Sequence, residues 1–180
     1  KEVEEIIETL KRLSEDLERK VREIIERLKR LSERLERENK EVIKELERLI
    51  DELRKLVEDG EDSSMVRRVE KKLEELLRRV KKLNEDVKEE SKRLVEEARK
   101  VIEKVLRESK ELADDARKKV DSEDLRKLDR VVKESERTIR DLLRKLDEVA
   151  KRSDDTIERV NDETAKVIER VKRKIEELEK

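Results

Sequence analysis

The chain has 180 residues, 58% charged and 32% hydrophobic, with 52 basic against 53 acidic side chains and a formal net charge of −1. It has no Phe, Trp, Tyr, Pro, Cys or His, one Gly and one Met, which excludes disulfides, His- or Cys-ligated metals and glycine-rich phosphate loops. Interleaved charge without aromatics offers neither a basic track for nucleic acid nor rings for base stacking, and no apolar run approaches a membrane span.

Such a composition favours disorder unless the apolar residues are phased, and here they are. In the first stretch Val3, Ile6, Ile7, Leu10, Leu13, Ser14 and Leu17 recur eighteen residues on as Val21, Ile24, Ile25, Leu28, Leu31, Ser32 and Leu35. They recur again as Asn39, Val42, Ile43, Leu46, Leu49, Ile50 and Leu53. Eighteen residues make about five turns of an unstrained α-helix, so this repeat does not drift as a heptad does. The spacing predicts a nearly straight helix over about 2–58 with one apolar stripe. Its other faces carry Glu before Arg at i, i+4, as in Glu8–Arg12, Glu18–Arg22, Glu23–Arg27 and Glu33–Arg37, read as a solvated surface.

A loop follows at Glu58-Asp59-Gly60-Glu61-Asp62-Ser63-Ser64. Gly60 sits where a helix end needs a left-handed residue, and Asp62, Ser63 or Ser64 should cap the next helix. That second helix is predicted over about 64–119, where Val66, Val69, Leu73, Leu76, Leu77 and Val80 return as Asn84, Val87, Ser91, Leu94, Val95 and Ala98. The tighter loop Val120-Asp121-Ser122 follows, with Asp121 as cap and acidic Asp124 three residues on. A third helix is predicted over about 122–179; Leu128, Val131, Ser135 and Ile139 return as Leu146, Val149, Ser153 and Ile157. Three helices of about 55 residues, each about 85 Å long, joined by short loops, predict an all-α fold. The expected form is a single-chain antiparallel three-helix bundle, long and nearly straight, with residues 1–180 as one domain.

The polar residues on the stripes fall at matched heights. Antiparallel neighbours at one height have a constant sum of residue numbers, and Ser14 with Ser109, Ser32 with Ser91 and Asn39 with Asn84 all sum to 123. Between the second and third helices, Ser109 with Ser135 and Ser91 with Ser153 sum to 244, and Asn84 with Asn161 to 245. Half of each sum falls at the loop joining the two helices, as a hairpin requires. The expected layers are Ser14/Ser109/Ser135, Ser32/Ser91/Ser153 and Asn39/Asn84/Asn161, each with a Thr three residues further on the third helix: Thr138, Thr156 and Thr164. Buried hydroxyls and amides need partners, and grouping supplies them. A serine nucleophile is not expected, because no His, Lys or acid stands beside these residues to activate one. Nor would a catalytic site repeat at eighteen residues. No catalytic residue, cofactor or metal site is expected, and the chain is read as a non-enzyme.

The aliphatic-only core, the eighteen-residue repeat, the Glu/Lys/Arg surface and these layers resemble computationally designed parametric helical bundles with buried hydrogen-bond networks. The resemblance covers all 180 residues. It implies a hyperstable scaffold with no natural function or location, soluble in the cytoplasm of an expression host. Composition leads us to expect no nucleic acid and no membrane, and one narrow stripe per helix with three-member layers leads us to expect no required partner and a monomeric state. The alternative is a helix–helix interaction module, an oligomer subunit or switch component that accepts another helix or self-associates. Ile7, Ile25 and Ile43, at the margin of the first stripe, are its candidate contacts.

Overall fold

The computed structural model describes residues 2–60 and 63–179, apart from the side chains of residues 178 and 179. The chain is an all-α three-helix bundle: α1 is Glu2–Glu58, α2 Ser63–Arg117 and α3 Ser122–Glu179. Strong helix formers fill all three and no Pro interrupts them. The helix ends carry the local chemistry that stops them. Glu2, Glu4 and Glu5 stand in the first turn of α1 and Lys55 in its last, each sign favourable to the macrodipole. Beyond Glu58 the Asp59 N–H donates to the Lys55 carbonyl at 2.9 Å and the Gly60 N–H to Val57 at 3.2 Å. Gly60 has φ 68°, the left-handed conformation that a Cβ disfavours.

Of the cap candidates for α2, Asp62 lies outside the described residues. Ser63 and Ser64 both fall inside the helix, which begins one residue before the expected start. α2 also ends at Arg117, two residues earlier than the stripe suggests. The Lys119 N–H reaches back only three residues, to the Ala116 carbonyl at 3.0 Å, so the last turn tightens and the chain leaves the helix. Asp121 caps α3: its Oδ1 accepts the Asp124 N–H at 3.1 Å, and its carbonyl accepts the Leu125 N–H at 3.0 Å.

The bundle divides into two compact units through which all three helices pass. The first comprises Lys1–Lys29 and Ser91–Arg152. Its core gathers Leu10 from α1, Ala116 from α2, and Leu128 and Val131 from α3, with Ile6, Ile7, Leu112 and Val132 packed against them. The ion pairs Arg117–Asp129 and Arg99–Asp147, both at 3.4 Å, lie progressively further from the second loop, as antiparallel α2 and α3 require.

The second unit comprises Arg30–Glu90 and Ser153–Lys180. Leu46, Leu49, Ile50 and Leu53 of α1 meet Val69, Leu73 and Leu76 of α2 and Val167 and Val171 of α3. Burying each such side chain is worth about 1.5–3 kcal/mol relative to exposure, which makes this aliphatic stripe the main stabilising term. Val57 and Met65, on either side of the first loop, are the large hydrophobic residues left exposed among those described.

Surface charges pair mostly along their own helices. Of the Glu–Arg pairs anticipated from spacing, Glu18–Arg22 forms at 2.5 Å. Arg34 turns to Glu38, Arg19 to Asp16 and Arg48 to Glu45. Exposed pairs of this kind contribute a few tenths of a kcal/mol at most.

Candidate functional site

The residues that break the aliphatic pattern are the polar ones on the stripes. In the first unit, the Ser14 hydroxyl donates to Ser135 Oγ at 3.0 Å, joining α1 to α3. In the second, Ser32 donates to Ser153 Oγ at 3.1 Å. Both pairs are separated by 121 residues, so α1 and α3 run parallel with one register in each unit. Ser91 is buried and takes part in a polar interaction. Thr138 and Thr156 are half-buried and are not joined to the serine pairs.

Ser109 stands apart from its expected layer. It is 9% exposed, and its Oγ is buried without a hydrogen-bond partner. Two hydroxyls on parallel helices satisfy one another, and the third member on α2 is left over. Ser109 lines a hollow of about 210 Å³ between α2 and α3, together with Leu106, Ala113, Val132 and Ile139. The small Ala113 leaves that space open.

Asn39 is the hub of the second unit. Its Nδ2 donates to the Leu35 carbonyl at 2.8 Å and to Asn84 Oδ1 at 3.1 Å. Its Oδ1 accepts the Thr164 hydroxyl at 3.0 Å. Asn39 is 3% exposed, Asn84 9% and Thr164 2%, so these bonds form in a low-dielectric interior where an unmade one is costly. The α3 contribution comes from Thr164, not from Asn161, whose Oδ1 is buried with no partner. The reason is angular. At about 100° per residue, Thr164 lies about 20° from the Ser153 direction, whereas Asn161 lies about 80° away. Asn161 is at the right height but faces the α2–α3 side, where it lines a groove of about 510 Å³ with Asn84 and Thr164. The Leu35 carbonyl escaped the sequence reading because a backbone acceptor carries no signature in residue type.

The Ser14–Ser135 and Ser32–Ser153 bonds and those of Asn39 join neutral groups. Hydroxyl–hydroxyl and amide–hydroxyl bonds orient helices, but the chain has no His, and the Ser14 hydroxyl donates to another hydroxyl, not to a base. Among the described residues no group of three or more Asp, Glu, His or Cys is placed to hold a metal ion, and no helix is long and apolar enough to cross a membrane. The margin residues Ile7 and Ile43 pack against the cores of their units, and Ile25 is buried at 7% exposure. The openings beside Ser109 and Asn161 lie between α2 and α3.

No protein-family model matches the chain, and no curated protein matches it. A solved structure described as "Computationally designed three helix bundle" is similar, at 20% identity over 99% of this chain and 92% of that one, with a TM-score of 0.49.

Proposed function

We propose that the chain is a self-contained structural scaffold, a designed bundle without a natural biochemical activity, whose buried polar groups specify how its helices register. The Asn39 hub carries this reading. An amide bonded to α2, to α3 and to its own helix is made in one alignment of an eighteen-residue repeat, whereas aliphatic stripes match again after every eighteen-residue slip. A single polar core position is the best-attested device of this kind in helical bundles. The scaffold reading takes residues 1–180 as one cooperative, monomeric domain. Sedimentation equilibrium is expected to return the 21.7 kDa chain mass, and unfolding followed by two probes should give one coincident transition. A dimer or trimer mass, or two separate transitions, would refute it.

A second reading, a module that accepts a further helix, is favoured by one observation. The two buried side-chain polar atoms without partners among the described residues, Ser109 Oγ and Asn161 Oδ1, each belong to a residue lining an opening between α2 and α3, one in each unit.

A further inference from the structure

We infer that the α2–α3 groove of the second unit docks an acidic amphipathic helix from a partner protein; this rests on the second reading above. The groove is lined from Leu77 to Lys88 on α2 and from Asn161 to Lys172 on α3. Each stretch rises about 16 Å, or three helical turns, the length over which one helix seats between two others.

Its walls combine an apolar bed with a one-sided rim. Leu77 and Ile168 are half-buried, and Ala165, one turn before Ile168 on α3, is exposed, so a small side chain leaves room for a docking helix to approach. Arg78, Lys81, Lys88 and Lys172 stand around this bed against a single acid, Glu85. That local excess of three positive charges occurs on a chain whose net charge is −1.

Two other openings lack this combination. The hollow between α1 and α2 in the same unit sets Arg34, Arg79 and Lys82 against Glu38, Glu41 and Asp86, with Val42 and Leu83 as its apolar residues. The α2–α3 hollow of the first unit balances Lys110 and Arg117 with Asp114 and Glu136 and has less than half the volume. Charge complementarity selects an acidic occupant over a basic one.

The test is fluorescence anisotropy of the full chain with two labelled amphipathic peptides of about 20 residues, long enough to hold a helix. Both have an aliphatic stripe; the first has Glu flanks and the second Lys flanks. The first should bind with a micromolar dissociation constant, and the second at least about tenfold more weakly. Ala165→Arg should abolish binding. Equal binding of the Glu and Lys peptides, or binding that survives Ala165→Arg, would overturn the inference. Lys-flanked binding blocked by Ala165→Arg would overturn the acidic assignment and leave the module reading standing. Binding of neither peptide would remove both. Self-association of the parent that Ala165→Arg abolishes would make a second copy the occupant, and the inference would fall.

Discussion

Replacing Asn39 by Leu removes one side chain and strands two others. Asn84 Oδ1 loses the Nδ2 that it accepts at 3.1 Å, and the Thr164 hydroxyl loses the Oδ1 to which it donates at 3.0 Å. The Leu35 carbonyl is not stranded, because it remains the i−4 acceptor of its own helix. Each stranded buried group costs about 1–3 kcal/mol. Thr164 recovers part of this by turning its hydroxyl to a carbonyl in the preceding turn, and Asn84 has no such recourse. Leu also adds buried apolar surface worth about 1 kcal/mol. The balance is a loss of about 3 kcal/mol. With a guanidinium slope of about 4 kcal/mol per molar, the midpoint falls by about 0.7 M, readable by far-ultraviolet circular dichroism. Asn161→Leu is the matched control: it removes an amide whose Oδ1 already lacks a partner, so its midpoint should hold or rise. The combined change Asn39→Val, Asn84→Ile and Thr164→Val takes out the whole network and should recover most of the loss. The recovered variant should show broader amide resonances or mixed association states, because nothing polar then forbids an eighteen-residue slip. If Asn39→Leu were as stable as the parent, the hub would not be holding those partners and the reasoning would fail.

The serine positions should separate in the same assay: Ser109→Ala should be neutral or stabilising by up to about 1 kcal/mol, since its hydroxyl is unpaired, while Ser14→Ala should lose about 1 kcal/mol by leaving Ser135 alone. Gly60→Ala should destabilise by about 1 kcal/mol, and Gly60→Asn by less. No atom lies within 4 Å of a Cβ built there, so the penalty is one of backbone conformation, and an equal effect of both substitutions would contradict it. The whole chain should melt above about 90 °C, and a cooperative melt near 55 °C would count against the consistency of its local signals.

Helix identity was legible because the apolar phase is so regular, and the loops because Gly60 and Asp121 have single-purpose chemistry. Height along the helices was legible too: Ser14 with Ser135 and Ser32 with Ser153 share one separation of 121 residues. Rotation about each helix axis was not. Sums of residue numbers measure rise alone, so Asn161 and Thr164 were grouped although about 60° of turn separates them, and only one of them reaches Asn39. An eleven-residue step from Ser153 to Thr164, close to three whole turns, was the available signal for the right partner. The unpaired Ser109 had no signal, because its equivalent in the other serine layer, Ser91, is of the same residue type at the matching stripe position and is not left unpaired. Of the expected ion pairs Glu18–Arg22 forms, while Arg34 turns to Glu38 and Arg48 to Glu45: long exposed side chains have several acids within reach, and spacing does not choose between them.

Met65, the single methionine, stands at 45% exposure in the first turn of α2. Cyanogen bromide cuts a backbone after methionine and nowhere else, so one reaction divides the chain into residues 1–65, carrying all of α1, and residues 66–180, carrying α3 and nearly all of α2. No residue is inserted and no gene is rebuilt. The two pieces form a fragment-complementation pair whose reassembly measures, as a bimolecular affinity, what α1 contributes to the bundle. Asn39 travels on one piece, with Asn84 and Thr164 on the other. Mixing parent and Asn39→Leu fragments therefore converts the folding role of that amide into a ratio of dissociation constants.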